Sequence, residues 1–231
     1  MEAIVLAGGK AERLGDAAGG LPKALVRVAG RPLLAYQAKL LADAGVDRLI
    51  VSCAAGKGPL FEKHLTDLEL ELETVEEPEP LGRGGGLRFA AAHRRETGDV
   101  YALNGDELVD VDLLALLAAH RERRAAATIT LVPLRSPFGI VELDKEDTVL
   151  GFQEAPRLPY WVSCGVYVLG EEALARLPER GDHETSTFPK LAAEGGLGGF
   201  RHEGVWLTVN TPKDLRRCEE YLAQHPAWLT A

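Results

Sequence analysis

Three basic side chains follow the first apolar segment of the chain, inside a short glycine-rich stretch. The run Ala3–Ala7 is wholly apolar, two adjacent glycines follow it, and Lys10, Arg13 and Lys23 come next. Glycines let backbone N–H groups approach an anion closely. On a chain with a formal net charge of -9, this local group of cations predicts a phosphate site. A surface loop whose cations are merely solvated is the alternative interpretation.

Two common phosphate-binding motifs do not fit this stretch. The residues 8–23 contain no Gly-Lys-Ser/Thr ending, which excludes a Walker loop. A Gly-x-Gly-x-x-Gly fingerprint cannot be placed on them in register either. The motif alone therefore does not identify the site, and the strands and helices that position the cations must be considered.

Apolar runs and helical patterns alternate in the first half of the chain, which predicts a parallel sheet with right-handed crossovers. Strands are expected at Ala3–Ala7, Leu49–Val51, Leu68–Val75, Val100–Leu103 and Thr128–Leu134. Helices are expected at Pro32–Ala44, Leu87–Arg95 and Val111–Arg124, with a loop over Glu76–Gly86. Because ligands of such sheets bind beyond the carboxyl ends of the strands, the loops after Ala7 and Leu103 are the candidate site.

The second half is expected to be a mixed α+β region. Strands are expected at Phe138–Leu143, Val149–Phe152, Val162–Leu169, Leu197–Arg201 and Val205–Leu207. Helices are expected at Glu171–Leu177, Phe188–Glu194 and Pro212–Gln224. The length of 231 residues suits one α/β domain, or one with a modest insert.

Composition excludes several classes of protein. The acidic balance argues against non-specific binding of nucleic acid, which needs a basic surface. Three scattered cysteines are too few for a disulfide framework or a zinc site, so a reduced cytoplasmic setting is expected. Neither a signal peptide nor an apolar run near the ~18 residues of a membrane span is recognisable, so no membrane partner is expected.

An ordered set of motifs covers nearly the whole chain and resembles one family. The motifs are Leu6-Ala-Gly-Gly-x-x-x-Arg13-Leu14, Pro22-Lys23-x-Leu25, Val28-Ala-Gly-Arg-Pro-Leu33, Pro80-Leu-Gly-x-Gly-Gly-Gly-Leu-Arg88, Leu103-Asn-Gly-Asp106, Val109-Asp-Val-Asp-Leu113, Phe138-Gly-Ile-Val-Glu-Leu-Asp144, Gly151-Phe-x-Glu-x-Pro156, Gly165-Val-Tyr-Val168 and Trp206-x-x-Val-Asn-Thr-Pro-x-Asp-Leu215. In this order they resemble the sugar nucleotidyltransferases, or nucleotide-sugar pyrophosphorylases. They look most like the mannose- and heptose-1-phosphate guanylyltransferase branch.

The resemblance implies a Rossmann-like three-layer α/β/α fold with a mostly parallel sheet and a mixed α+β acceptor-binding region. One nucleotidyltransferase domain would span 1–231, with a nucleotide-binding half at 1–135 and a sugar-phosphate-binding half with the closing helix at 136–231. A homo-oligomer is possible.

The resemblance also implies the reaction, in which an oxygen of a sugar phosphate attacks the α-phosphorus of a nucleoside triphosphate. Catalysis is then mainly positioning and charge stabilisation. Arg13 would neutralise the leaving pyrophosphate, and Lys23 would hold the α-phosphate or the attacking group. The residues implied to bind the nucleotide are Leu6, Ala7, Gly8, Gly9, Lys10, Glu77, Gly82 and Gly84. Those implied to bind the sugar are Gly139, Glu154 and Ser163, whose alternative is ordinary strand and turn structure.

Two acidic residues acquire roles through this resemblance. A carboxylate beside a triphosphate is repulsive unless a cation lies between them, so Asp106 is expected to bind Mg²⁺. Its alternative role is to cap a turn. Glu77 lies in the loop that reads the base in relatives, and a carboxylate can accept from both guanine N1–H and N2, which favours GTP. A plain solvated acidic loop is the alternative.

Four positions depart from the family pattern. Ala155 stands where relatives usually have a lysine that holds the sugar phosphate, and Arg157 is our candidate substitute. Thr208 stands where relatives usually have an aspartate, the second Mg²⁺ ligand. Arg83 replaces a threonine and Ala11 a glycine. These changes leave two alternatives open: a catalytically silent nucleotide-sugar-binding relative, and a cytidylyltransferase-type enzyme with a non-sugar phosphate acceptor.

Overall fold

The computed structural model describes residues 1–226 and Trp228, and a seven-stranded sheet joins both halves of the chain. The strands are β1 (Glu2–Leu6), β2 (Arg27–Val28), β3 (Arg31–Pro32), β4 (Arg48–Ala54), β5 (Glu71–Glu77), β6 (Val100–Asn104), β7 (Glu107–Val109), β8 (Ala127–Arg135), β9 (Ile140–Leu143), β10 (Val149–Gln153), β11 (Arg157–Leu169), β12 (Leu197–Arg201) and β13 (Trp206–Thr208). The helices are α1 (Leu33–Asp43), α2 (Gly58–His64), α3 (Gly82–Ala91), α4 (Leu113–Arg123), α5 (Glu171–Ala175), α6 (Thr187–Ala193) and α7 (Pro212–Gln224).

The central sheet is mostly parallel. Its strand order is β12-β8-β11-β6-β1-β4-β5. Strand β1 pairs in parallel with both β4 and β6, and β5 and β12 are parallel to their neighbours. Only β11 runs the other way, because it pairs antiparallel with β6 and with β8. The carboxyl ends of β1, β4, β5 and β6 therefore lie along one edge of the sheet.

Helices cover both faces of this sheet, so the fold is a three-layer α/β/α sandwich, as predicted. Alternate strand residues enter opposite cores: Val5 packs with side chains of α1, α2 and α4, whereas Ile4 packs with side chains of α3, α5 and α6. Burial on both faces explains why the central strands are apolar throughout rather than alternating.

Three two-stranded ladders stand apart from the sheet. Strands β9 and β10 form a hairpin, β2 pairs with β3, and β7 pairs with β13. The last ladder brings the segment before α7 beside the end of β6. Helix α7 begins with a capping box, in which the Thr211 side chain and Asp214 satisfy each other's backbone N–H groups. Its Cys218 and Leu222 pack against Leu14, Val26 and Leu207.

Most predicted elements are found within a few residues of their expected bounds, but one loop was wrong. The expected loop Glu76–Gly86 instead contains the end of β5 and the first turn and a half of α3, which begins at Gly82. Glycine is a poor helix former, yet tight packing requires it here. A Cβ at Gly85 would lie 2.6 Å from Glu179 O, and one at Gly86 would lie 2.7 Å from Glu77 Oε1. Helix α2 and strands β2, β3 and β7 were not predicted.

Two further expectations concern membrane spans and cysteines. In the part of the chain that the structure describes, no helix combines the length and apolarity needed to cross a bilayer. Cys53, Cys164 and Cys218 are buried free thiols. Burial raises the pKa of the Cys164 thiol to about 12, and the negative charge of Glu107 adds to this.

Candidate functional site

The ends of β1 and β6 are held together by a close backbone approach at Gly105. Leu6 is paired with Asn104, and the Gly105 N–H donates to Leu6 O over 2.9 Å. A Cβ at position 105 would lie 2.8 Å from the same oxygen, so only glycine fits. This contact places Asp106 directly beside the glycine-rich stretch that follows β1.

Lys23 and Asp106, predicted from separate motifs, are in contact. Lys23 begins a short 3₁₀ helix, Lys23–Leu25, after Pro22. Its Nζ donates to Asp106 Oδ2 and also to Asn210 Oδ1. Only 12% of the Lys23 side chain is exposed, so the ammonium lies in a partly desolvated position. Two oxygens from different segments thus converge on one cation.

These residues lie in a cavity of about 1110 Å³, which is large enough for a nucleotide and a second small substrate. Its lining includes ten of the predicted residues, namely Leu6, Ala7, Gly8, Gly9, Lys10, Arg13, Lys23, Glu77, Gly82 and Asp106. The glycine-rich stretch, the end of β5 and the end of β6 therefore enclose one common space.

The cavity wall carries more positive charge than the three predicted cations. Lys57, at the start of α2, and Arg83, in α3, also line it. Among the described residues, none forms an ion pair or hydrogen bond with the Arg13 guanidinium. Lys10 is 82% exposed and lies 3.8 Å from Glu12. Arg13 is therefore available to an anionic ligand without losing an internal partner.

Glu77 lies at the cavity wall, 9% exposed, with both carboxylate oxygens hydrogen-bonded. Ser52 Oγ donates to Oε1 over 2.8 Å, and the Leu81 N–H donates to Oε2 over 3.1 Å. Each oxygen keeps a free lone pair after these bonds. The carboxylate is thus held in a fixed orientation rather than in a solvated loop.

A second acid, Glu107, lies next to Asp106 and was not predicted. It is 8% exposed, lines the same cavity, and its Oε2 accepts from Trp206 Nε1 over 2.7 Å. Burial raises the pKa of Glu107 to about 8, and the neighbouring negative charge of Asp106 adds to the rise. Gln37 fixes the backbone here, since its Nε2 donates to Asn104 O and Glu107 O.

The oxygen atoms around Lys23 suit a magnesium ion. Within the described residues, no group of three or more His, Cys, Asp or Glu side chains could hold a metal. The available donors are Asp106 Oδ2 and Asn210 Oδ1, which already hold the Lys23 ammonium; Glu107 lines the same cavity. Carboxylate and amide oxygens are hard ligands, and Mg²⁺ takes few of them beside phosphate oxygens and water.

The predicted sugar-binding residues do not lie among the described residues that line the large cavity. Gly139 and Glu154 flank the β9–β10 hairpin, where a Cβ at Gly139 would meet the Phe152 ring. Ser163 lines a separate cavity of about 280 Å³ and bonds Tyr167 OH over 3.4 Å. Arg157 pairs with Glu203 at 3.1 Å.

Gly84 and Arg83 have partners within the protein. The Gly84 N–H donates to Gly181 O over 2.8 Å, so this glycine packs α3 against residues 178–183. The Arg83 guanidinium lies 3.0 Å from Asp182 and 2.6 Å from Glu184. Arg83 therefore differs from Arg13, because a phosphate would have to compete with two carboxylates for it.

Sequence reasoning missed three cavity residues, Lys57, Glu107 and Asn210. The motif that contains Asn210 was recognised, and its polar side chain after β13 was the available signal. Lys57 lies between two glycines in a segment for which no element was predicted. Glu107 adjoins a recognised motif but belongs to β7, a strand of three residues that leaves no clear pattern.

Thr208 and Ala155, two of the departures, occupy defined positions. Thr208 Oγ1 accepts from Asn210 Nδ2 over 2.9 Å, which orients the amide toward Lys23. Ala155 has a φ of 45°, a left-handed conformation that is uncommon for a residue with a Cβ. No described contact explains why alanine rather than glycine stands there.

Comparison with known proteins agrees with this geometry. The chain is 35% identical over 229 residues to a mannose-1-phosphate guanylyltransferase of Mycobacterium tuberculosis, covering 94% of this chain and 63% of that protein. The chain thus spans less than two thirds of that relative. HddC from Yersinia pseudotuberculosis, solved with GMP-PN, has a TM-score of 0.74 at 21% identity, covering 96% of this chain and 99% of that one.

An inositol-1-phosphate CTP transferase from T. maritima has a TM-score of 0.73 at 22% identity, covering 96% of this chain and 95% of that one. At these identities the two structures establish the Rossmann-like fold. The model of the family described as "Nucleotidyl transferase" matches residues 2–225. With that match over nearly its full length, the chain is a member of the nucleotidyl transferase family.

Proposed function

We propose that this chain is a sugar-1-phosphate nucleotidyltransferase that uses GTP in preference to other triphosphates. It joins the nucleotide to a sugar 1-phosphate and releases pyrophosphate. The observation that carries the proposal is the contact of Lys23 with Asp106 and Asn210 inside a cavity lined by the glycine-rich stretch. The family match and the guanylyltransferase relative support it.

The reaction needs charge stabilisation more than acid–base chemistry. An oxygen of the sugar phosphate forms a bond to the α-phosphorus, and the bond from that phosphorus to its bridging oxygen breaks. Pyrophosphate leaves with the electron pair. Negative charge grows on the leaving group and around phosphorus, so fixed cations lower the barrier.

Lys23 and Arg13 provide such cations. Lys23 would hold the α-phosphate or the attacking phosphate, and Arg13 would neutralise the pyrophosphate. A cation ~4 Å from a phosphate oxygen contributes on the order of 4 kcal/mol at an effective dielectric constant of ~20, before desolvation. The N–H groups of Gly8 and Gly9 line the same cavity and can donate to phosphate oxygens.

Mg²⁺ is the proposed cofactor. Asp106 and Asn210 would hold it, because their oxygens already converge on a cationic group. When bound, the ion neutralises phosphate charge and orients the phosphates relative to one another. Lys23 is then free to turn from Asp106 toward a phosphate oxygen.

Glu77 is the basis for the preference for GTP. Its carboxylate is fixed by Ser52 and Leu81 at the cavity wall. A Cβ added to Gly8 would lie 3.7 Å from Glu77 Oε1, so the carboxylate is close to the glycine-rich stretch. A carboxylate in this place can accept from guanine N1–H and the N2 amino group. It would meet the O4 acceptor of uracil or thymine unfavourably.

The acceptor site and the cellular setting are also part of the proposal. We assign sugar contacts to Gly139, Glu154 and Ser163, and phosphate contacts to Arg157 in place of the lysine that Ala155 lacks. Residues 1–135 form the nucleotide half of one domain and 136–231 the acceptor half. The protein acts in the cytoplasm.

A release assay tests the proposal. The protein is incubated with Mg²⁺, each of GTP, UTP, CTP and dTTP, and a panel of hexose and heptose 1-phosphates, and pyrophosphate is measured. Release with GTP and a sugar 1-phosphate supports it. Release only with CTP and an alditol phosphate would favour a cytidylyltransferase with a non-sugar acceptor, for which the fold of the inositol-1-phosphate enzyme is a precedent. Ligand-dependent shifts in melting temperature without any release would indicate a catalytically silent relative.

A further inference from the structure

The β7–β13 ladder pairs two positions that matter for the metal site. Glu107 and Thr208 are directly opposite each other in this antiparallel pair. Side chains at directly opposite positions lie on the same face, with Cβ atoms ~5 Å apart. Thr208 is the position at which the family pattern has an aspartate. A carboxylate that is absent from β13 is therefore matched by a carboxylate across the ladder on β7.

The surroundings of Glu107 favour a role toward a cation. Glu107 is 8% exposed and lines the large cavity. Trp206 Nε1 donates to Oε2 over 2.7 Å. Among the described residues, none donates a hydrogen bond to Oε1. Oε1 is not one of the fully enclosed side-chain atoms that lack a partner, so this oxygen keeps contact with solvent and is open to a cation.

A purely structural role would not require this residue type. A glutamine at position 107 could accept from Trp206 Nε1 through its amide oxygen and would bury no charge beside Asp106. Placing two carboxylates in sequence at a buried site is unfavourable unless a cation is shared between them. The Lys23 ammonium already lies beside Asp106, so Glu107 adds a second carboxylate to a position that attracts cations.

We propose that Glu107 supplies the second carboxylate of the Mg²⁺ site. It replaces the aspartate for which this chain has the neutral Thr208. Asp106 provides the first carboxylate, Glu107 binds through Oε1, and Trp206 holds Oε2 and so orients the group. This inference rests on the proposed function for its meaning in catalysis. It can nevertheless be tested by metal binding alone.

The first test measures Mn²⁺ binding to the full chain by electron paramagnetic resonance, without nucleotide. Glu107→Gln keeps the acceptor for Trp206 and nearly the same volume. We expect its affinity for Mn²⁺ to fall about 10- to 100-fold, the usual effect of losing a metal-supporting group. Glu122→Gln, which removes an exposed charge from α4, is the matched control and should bind as the wild type does. An affinity of Glu107→Gln within threefold of the wild type would overturn the inference.

The second test moves the carboxylate across the ladder. In the variant with both Glu107→Gln and Thr208→Asp, a carboxylate returns to the opposite strand, and we expect most of the affinity for Mn²⁺ to recover. Damage to packing around Trp206 would not be repaired by this change. A double variant that binds Mn²⁺ as weakly as Glu107→Gln alone would refute the exchange. Thr208→Asp alone, which leaves Glu107 in place, should bind Mn²⁺ more tightly than the wild type.

Failure of this inference is distinguishable from failure of the proposed function. If pyrophosphate is released but Glu107→Gln binds Mn²⁺ as the wild type does, the proposed function is supported and the proposed role of Glu107 is rejected. If no triphosphate and phosphate acceptor react but the metal titrations behave as expected, the metal site stands and the reaction must be sought elsewhere.

Discussion

The two halves of the chain differ in how closely their predicted functional residues lie together. In the first half, residues 1–135, side chains from three loops line one cavity, and Lys23 contacts Asp106 across 83 positions of sequence. In the second half, residues 136–231, the residues predicted to bind the sugar are distributed over a hairpin, a small separate cavity and the start of β11. The carboxyl ends of adjacent parallel strands must lie together, whereas a hairpin is attached to the sheet at its base alone.

The basic residues also differ in whether they are paired, and this difference crosses the boundary between the halves, because Arg83 lies in the first half. Arg13 has no partner among the described residues and lines the cavity. Arg83 and Arg157 are each held by acids, at 3.0 Å from Asp182 and 3.1 Å from Glu203. The hairpin also exposes large apolar side chains, including Phe138 at 73% and Phe152 at 65%. Arg13 is thus open to an anionic ligand, whereas Arg83 and Arg157 are already paired with acidic side chains.

The largest effect should come from Lys23→Ala. Loss of this ammonium should lower kcat about 100- to 1000-fold, as removal of one preformed electrostatic contact does in other enzymes, while the circular dichroism spectrum stays unchanged. Lys10→Ala is the control, because Lys10 is 82% exposed, and its kcat should fall far less. A kcat for Lys23→Ala within tenfold of the wild type would remove Lys23 from the mechanism and break the contrast between the halves.

Asp106→Asn should have the next largest effect. A neutral amide is a weaker ligand for Mg²⁺ than a carboxylate, so the Mg²⁺ concentration for half-maximal pyrophosphate release should rise about 10- to 100-fold. The measurement is a Mg²⁺ titration at saturating substrates. An unaltered titration curve would assign the metal to other residues.

His183 makes a pH-dependent contribution to the stability of the protein. The imidazole is completely buried, and burial lowers its pKa to about 4 from an ordinary 6.5. Because the unfolded chain takes up the proton first, stability is lost as the pH falls from about 6.5 toward 4, by about 2 kcal/mol at pH 5. Urea unfolding at pH 7 and pH 5 should show this loss in the wild type, and the loss should be smaller by that amount in His183→Gln. Equal losses in both proteins would contradict the assignment.

The smallest effect is expected for Arg157→Ala. An exposed arginine that already pairs with Glu203 is screened by solvent and contributes little, so KM for the sugar phosphate should rise no more than about fivefold, with KM for GTP unchanged. Arg201→Ala is a matched control, since the Arg201 and Arg157 guanidinium carbons lie 5.0 Å and 5.2 Å from the Trp161 ring centroid. If both variants have the same KM, Arg157 does not bind the sugar phosphate.

Local patterns were sufficient for most of the fold. The apolar run at β1 and the proline and capping pair at the start of α7 are local signals, and the bounds of α7 were predicted without error. The glycine-rich start of α3 was missed, because Gly84, Gly85 and Gly86 disfavour a helix on propensity alone. Gly84 and Gly85 pack against the backbone of residues 179–183, far away in sequence, and Gly86 packs against Glu77.

The sequence alone determined which chemical groups the site contains, since the basic loop and the acid after β6 are local motifs. Only the tertiary structure decided how they combine. The contact of Lys23 with Asn210 spans 187 positions, and the pairing of Glu107 with Thr208 requires the β7–β13 ladder. Such contacts depend on the register of distant strands, and no local pattern of residues encodes that register.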